Sequence, residues 1–218
     1  MTGSARAVVV ALIVDFVVVF AKAVALVLTG STAIMAELLH SLADLTNQGL
    51  LAVGIVHSRR EPDREYPYGF GRSQYIWALL SATSVLFIGS GMSIVSGVQQ
   101  VWTPEPLHHL GWGLILLFVS LIAEGGSLSF ALAVVRSSAR RTDRSLWQYL
   151  LSGPDPVGVA VVLEDASAVL GVVIALGGLG LARLTGNPAW DGAGSIGIGV
   201  LLGVSIRVND FETLQFRV

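Results

Sequence analysis

The chain has 218 residues, of which 53% are hydrophobic and 13% charged, and its charges gather in short clusters between long apolar runs, the pattern of a bilayer-resident chain. Cysteine is absent, which excludes a disulfide framework, a thiolate metal site and a cysteine nucleophile; His, carboxylate, amide or backbone oxygen must hold any metal. The net charge of −2 is not accompanied by a basic tract or an aromatic-and-basic patch, so nucleic acid is not an expected partner.

At about 20 apolar residues per crossing, the sequence predicts six spans, at 6–28, 33–56, 74–98, 110–135, 156–182 and 191–206, with a short cytoplasmic tail at 207–218. The first span follows Arg6 and contains Asp15 and Lys22. Its length of about 23 residues and its two charges suit a membrane helix better than the short, uninterrupted core of a secretory signal. Thr29-Gly30-Ser31-Thr32 turns the chain into the second span, which carries Glu37, His40, Asp44, Asn47 and Gln48. The connection after it holds Arg59, Arg60, Arg64 and Arg72.

Gly89, Gly91 and Gly97 in the third span are small residues of the kind that let helices approach closely. A short segment with His108 and His109, read as solvated, leads to a fourth span that contains Glu124. Arg136, Arg140, Arg141 and Arg144 mark the next connection, and Asp155 as N-cap with Pro156 in the first turn begins the fifth span. That span carries Glu164 and Asp165, and a connection with the single Arg183 leads to the Gly-rich sixth. Arginines concentrate on the side of the termini, so the positive-inside rule puts both ends in the cytoplasm. Trp77, Trp102, Trp112, Trp147 and Trp190 sit near span ends as interface anchors.

An ionisable side chain at the bilayer centre costs about 2.5 kcal/mol or more, so each one asks for a partner or a task. The five polar residues of the second span fall within an arc of about 100°, a single stripe on an otherwise apolar helix. Within it, His40 and Asp44 stand one turn apart, and an imidazole nitrogen and a carboxylate oxygen can converge there on one cation. A divalent metal usually takes about four ligands, so another helix must contribute. Glu164 and Asp165 are the best donors; they point about 100° apart, and Asp165 is favoured because it lies about 14 Å into its helix, near mid-bilayer. Glu37, Glu124 and Asp15 are read as proton-relay or helix-pairing groups, and Lys22 is read as a partner for Asp15 or Glu37.

Four stretches of sequence then carry a resemblance: Ala36-Glu37-Leu38-Leu39-His40-Ser41-Leu42-Ala43-Asp44, Pro67-Tyr68-Gly69-Phe70-Gly71-Arg72, Leu163-Glu164-Asp165 and Thr185-Gly186-Asn187-Pro188. The chain resembles the cation diffusion facilitator family of metal/proton antiporters over nearly its whole length. The resemblance implies a six-helix all-α membrane bundle. It also implies a tetrahedral site made of two residues four apart on the second helix and two four apart on the fifth. His40, Asp44 and Asp165 match three of these positions, whereas Val161 occupies the fourth and cannot bind metal.

The Glu164-Asp165 arrangement is similar to a subgroup, including mitochondrial zinc transporters of animals, that lacks the fifth-helix His. Glu164, Asn47 or water is left to replace the missing ligand. Tyr66 and Phe70 stand where some members place loop ligands, so no metal is expected there. The family's soluble C-terminal domain is not expected after span six, and a homodimer is a family expectation.

The implied function is transport of a divalent cation, zinc first and manganese, iron or cobalt next, out of the cytoplasm across the plasma (inner) membrane in exchange for protons. The metal and protons are substrates, and no resident cofactor is expected. An enzyme is not expected, because neither a His-Glu-x-x-His nor a Gly-x-Ser-x-Gly motif is present. A non-transporting binding or assembly subunit is the alternative.

Overall fold

In the computed structural model, described for residues 3–58, 69–70, 73–141, 145–152 and 156–215, every regular element is helical. Side-chain surroundings are described within 16–204, except at positions that include 47–48, 51–52 and 151–161. The helices are α1 (Gly3–Thr29), α2 (Thr32–Ser58), α3 (Ser73–Ser84), α4 (Met92–Trp102), α5 (Leu110–Arg141), α6 (Leu146–Ser152), α7 (Pro156–Thr185) and α8 (Ala189–Gln215). A π-helical stretch, Val85–Gly91, joins α3 to α4 without a break.

The described helices fall in the stretches where spans were expected, with different ends. The predicted tail is helical as far as Gln215, because no Gly or Pro after Gly203 interrupts the run. The seven-residue α6 is an element the hydropathy reading did not include. Its start is a capping box: the Ser145 hydroxyl accepts from the Gln148 backbone N–H at 3.2 Å, and the Gln148 side-chain oxygen accepts from the Ser145 N–H at 3.2 Å. The expected Asp155 N-cap lies outside the described residues.

Two helices, Leu110–Arg140 and Val162–Thr185, are by themselves long and apolar enough to cross a membrane; Phe16–Thr29 and Ala189–Val204 are apolar over shorter described stretches. The radial distribution of side chains is the reverse of a water-soluble domain's. Phe16, Phe20, Phe130 and Leu184 are exposed, whereas Lys22, Glu37 and Asp191 are at most 1% exposed. A solvent that welcomes phenyl rings and rejects charge is lipid.

Close helix approach follows from small residues. Where α4 crosses α8, a methyl on Gly97 or on Gly192 would stand 2.6 Å from the other residue's carbonyl oxygen, so neither position tolerates a side chain. Serine hydroxyls stitch the same seam, Ser90 donating to the Gly199 carbonyl at 2.7 Å and Ser195 to that of Ser93 at 2.8 Å. Gly30 and Gly186 end α1 and α7 in left-handed conformation, at φ 66° and 70°, where a Cβ would be strained. The apolar core gathers Ala25, Ile34, Leu117, Val172, Leu179 and Ile198 from five helices.

Candidate transport site

Of the polar stripe of α2, Glu37 and His40 are buried inside the bundle and Asp44 is half-buried. His40 is 3% exposed, and its Nε2 lies 3.2 Å from Asp44 Oδ2, one turn further along the helix. No hydrogen bond meets that nitrogen among the described residues. A buried imidazole nitrogen and a carboxylate oxygen set side by side are two atoms that could hold a cation. The Asp44 side chain is 25% exposed against 4% for His40.

One turn in the other direction stands Glu37, fully buried and matched by Lys22 of α1. The Lys22 ammonium donates to Glu37 Oε2 at 2.9 Å, to Ser41 Oγ at 2.9 Å and to Glu124 Oε1 of α5 at 2.6 Å. All three of its protons are used, and three helices are tied at one point. Of the two pairings expected for Lys22, the structure describes the one with Glu37 and adds Glu124. The side chain of Asp15 lies outside the described residues. On α7, Gly171 leaves the space into which Glu37 Oε1 points, and a Cβ there would collide with that oxygen.

The fifth-span acids are placed differently from the second-span pair. Asp165 accepts a hydrogen bond from the Ser127 hydroxyl of α5 at 2.9 Å, which turns its carboxylate toward α5. Glu164 is half-buried beside it. Among the described residues no three His, Asp or Glu side chains come together closely enough to hold a metal ion. The expected ligands thus lie on two packed helices, α2 and α7, with His40 and Asp44 adjacent and Asp165 bonded to Ser127 of α5. The side chains of Asn47 and Val161 and the whole of Tyr66 lie outside the described residues. Phe70 packs edge-on against His57, with ring centroids 5.2 Å apart.

Sequence reasoning assigned no role to Asp191, which is fully buried and caps α2. Its carboxylate accepts from the Ser31 hydroxyl, from the Thr32 N–H at 2.6 Å and hydroxyl at 2.9 Å, and from the Ala33 N–H at 3.4 Å. A carboxylate at a helix N-terminus satisfies orphan donors and the helix dipole together. Ser31 and Thr32 are recognisable as a helix start, but a cap supplied from 160 positions away leaves no local signal. His108 and His109 are exposed, and the backbone N–H of His108 donates to the Thr29 carbonyl at 3.0 Å, tying the loop to the end of α1.

Residues 8–207 match the family described as the cation efflux transmembrane domain. The chain belongs to the cation efflux, or cation diffusion facilitator, family, and it is an integral membrane protein. It is 42% identical over 203 residues to the protein named proton-coupled zinc antiporter SLC30A9, mitochondrial, of Xenopus laevis, a match that covers 93% of this chain and 36% of that protein. It is 41% identical over 201 residues to metal tolerance protein C4 of Arabidopsis thaliana, covering 92% of this chain and 44% of that one. Against the cation-efflux pump FieF of Klebsiella pneumoniae the identity is 29% over 118 residues, 54% of this chain and 39% of the pump. The chain spans less than half the length of these relatives.

Proposed function

We infer that the chain carries divalent cations across a membrane through six spans, with zinc the preferred substrate and protons moving the opposite way. The observation that carries this reading is the buried His40 Nε2, which meets no hydrogen bond among the described residues and lies 3.2 Å from Asp44 Oδ2. Metal binds His40 and Asp44 first, from the exposed Asp44 end, and Asp165 then leaves Ser127 to join them across the α2–α7 contact. Glu164, Asn47 or water completes the shell in place of Val161. Binding needs neutral imidazole and ionised carboxylate, so protons compete for the same atoms, and that competition is sufficient for exchange without a separate motor.

Support for zinc comes from the name of the vertebrate relative and from a nitrogen-plus-carboxylate donor set, which zinc accepts readily. Direction out of the cytoplasm rests on the arginine distribution, which sets both termini on the cytoplasmic side. The same relative's name places it in mitochondria, which tells against the plasma membrane expected from the sequence. The proposed location is therefore a membrane that holds a proton gradient. Reconstituted in liposomes, the chain is expected to move zinc with proton counterflow. Failure of zinc, manganese, iron and cobalt alike to move would contradict the reading, and flux only alongside a partner protein would favour an assembly subunit.

A further inference from the structure

The Lys22 triad has a charge imbalance that the metal site does not explain. One ammonium faces two carboxylates, a net of one negative charge if both acids are ionised. Two of the carboxylate oxygens, Glu37 Oε1 and Glu124 Oε2, are buried with no hydrogen-bond partner among the described residues. The same holds for the hydroxyl of Ser120, which is 1% exposed and one turn from Glu124 on the same side of α5. An unpaired negative charge inside a bilayer costs several kcal/mol, and unmet acceptor oxygens add to that cost. A single proton removes both problems, since a neutral carboxyl needs no counter-charge and its O–H is a donor for a neighbouring acceptor.

We propose that the triad is a proton site separate from the metal ligands: Glu124 holds a proton in the metal-free protein, loses it when metal binds, and regains one after metal leaves. Glu124 is the carrier because its side chain is 13% exposed, whereas Glu37 is sealed at 0%. It lies on a different helix from His40 and Asp44. The charged and titratable groups that act on it are Lys22 from α1 and Glu37 and His40 from α2; of the other helices packed on α5, α7 carries Glu164 and Asp165 and α6 carries the buried Tyr149.

The coupling is electrostatic. Charges at Glu37, Lys22, Glu124 and Glu164 all act on His40, so a dication arriving at His40 and Asp44 acts on them in turn. Its positive charge offsets an ionised Glu124, and the carboxyl O–H bond breaks, leaving the electron pair on the carboxylate. The proton passes to water on the side from which the metal came. When metal departs to the opposite side, Glu124 takes a proton from that side, and the triad returns to its starting charge. Each cycle then carries one proton more than the ligands themselves exchange. This inference rests on the transport reading and adds a second proton carrier to it.

Proton release on zinc binding to the full chain, measured by titration in several buffers of different ionisation heat, tests the proposal with Glu124→Gln. Glutamine is the neutral isostere of the protonated acid, so the variant is expected to fold, to bind zinc, and to release about one proton fewer per zinc than the unsubstituted chain. An unchanged proton count overturns the proposal. So does loss of folding in Glu124→Gln, which would mean that the ionised form is the structural one. Loss of zinc binding with the fold intact would place Glu124 among the ligands and also overturn it. Absence of zinc-linked proton release from the unsubstituted chain would instead remove the transport reading on which the proposal stands.

Discussion

Lys22 illustrates how a single side chain can be read correctly as costly and still be assigned too narrowly. The sequence makes its ammonium an anomaly in an apolar helix, and the one-face argument offers Asp15 or Glu37 as partners. The third member, Glu124, lies 102 positions away, and no helical periodicity brings α5 to α1; only packing does. Replacing Lys22 by Met leaves Glu37 buried without a counter-charge and is expected to cost about 3–5 kcal/mol, read as reduced stability in detergent unfolding. Asp191→Ala removes the cap of α2 and is expected to cost about 1–2 kcal/mol, with an earlier thermal transition. Gly171→Ala drives a methyl into Glu37 Oε1; about 1–3 kcal/mol of destabilisation is expected from such overpacking, accompanied by loss of metal transport as Glu37 is displaced.

At the level of helices, the apolar runs marked where the long described helices lie, because apolar run length is imposed by the bilayer rather than by tertiary context. Helix ends were less legible. The α8 extension to Gln215 and the short α6 both depend on caps and breakers rather than on hydropathy, although the Ser145 to Gln148 capping box was present in the sequence. The glycines of α4 and α8 were read as packing residues in general, but the pairing of Gly97 with Gly192 required the crossing itself. Gly97→Ala is expected to pry α4 from α8 at a cost of about 1–3 kcal/mol, checked by thermal stability in detergent. The second-helix half of the site was legible for a different reason: His40 and Asp44 are one helical turn apart, so their adjacency is fixed by local geometry. Asp165 was legible as a residue but not in its placement, because the Ser127 hydroxyl that holds it belongs to another helix.

For the molecule as a whole, the proposed function has metal and protons contest a shared set of interior charges. The apparent affinity for metal is therefore expected to fall as the metal-loading side is acidified, because protons and metal compete for the same imidazole and carboxylate atoms; a pH-independent affinity would remove His40 from the site. The most direct test of the account is zinc flux into liposomes by the reconstituted chain, compared with Asp44→Ala and Asp165→Ala, each shown to be folded. Both substitutions are expected to reduce flux by at least about tenfold, although the two acids lie on different helices. Flux that survives both would contradict the site.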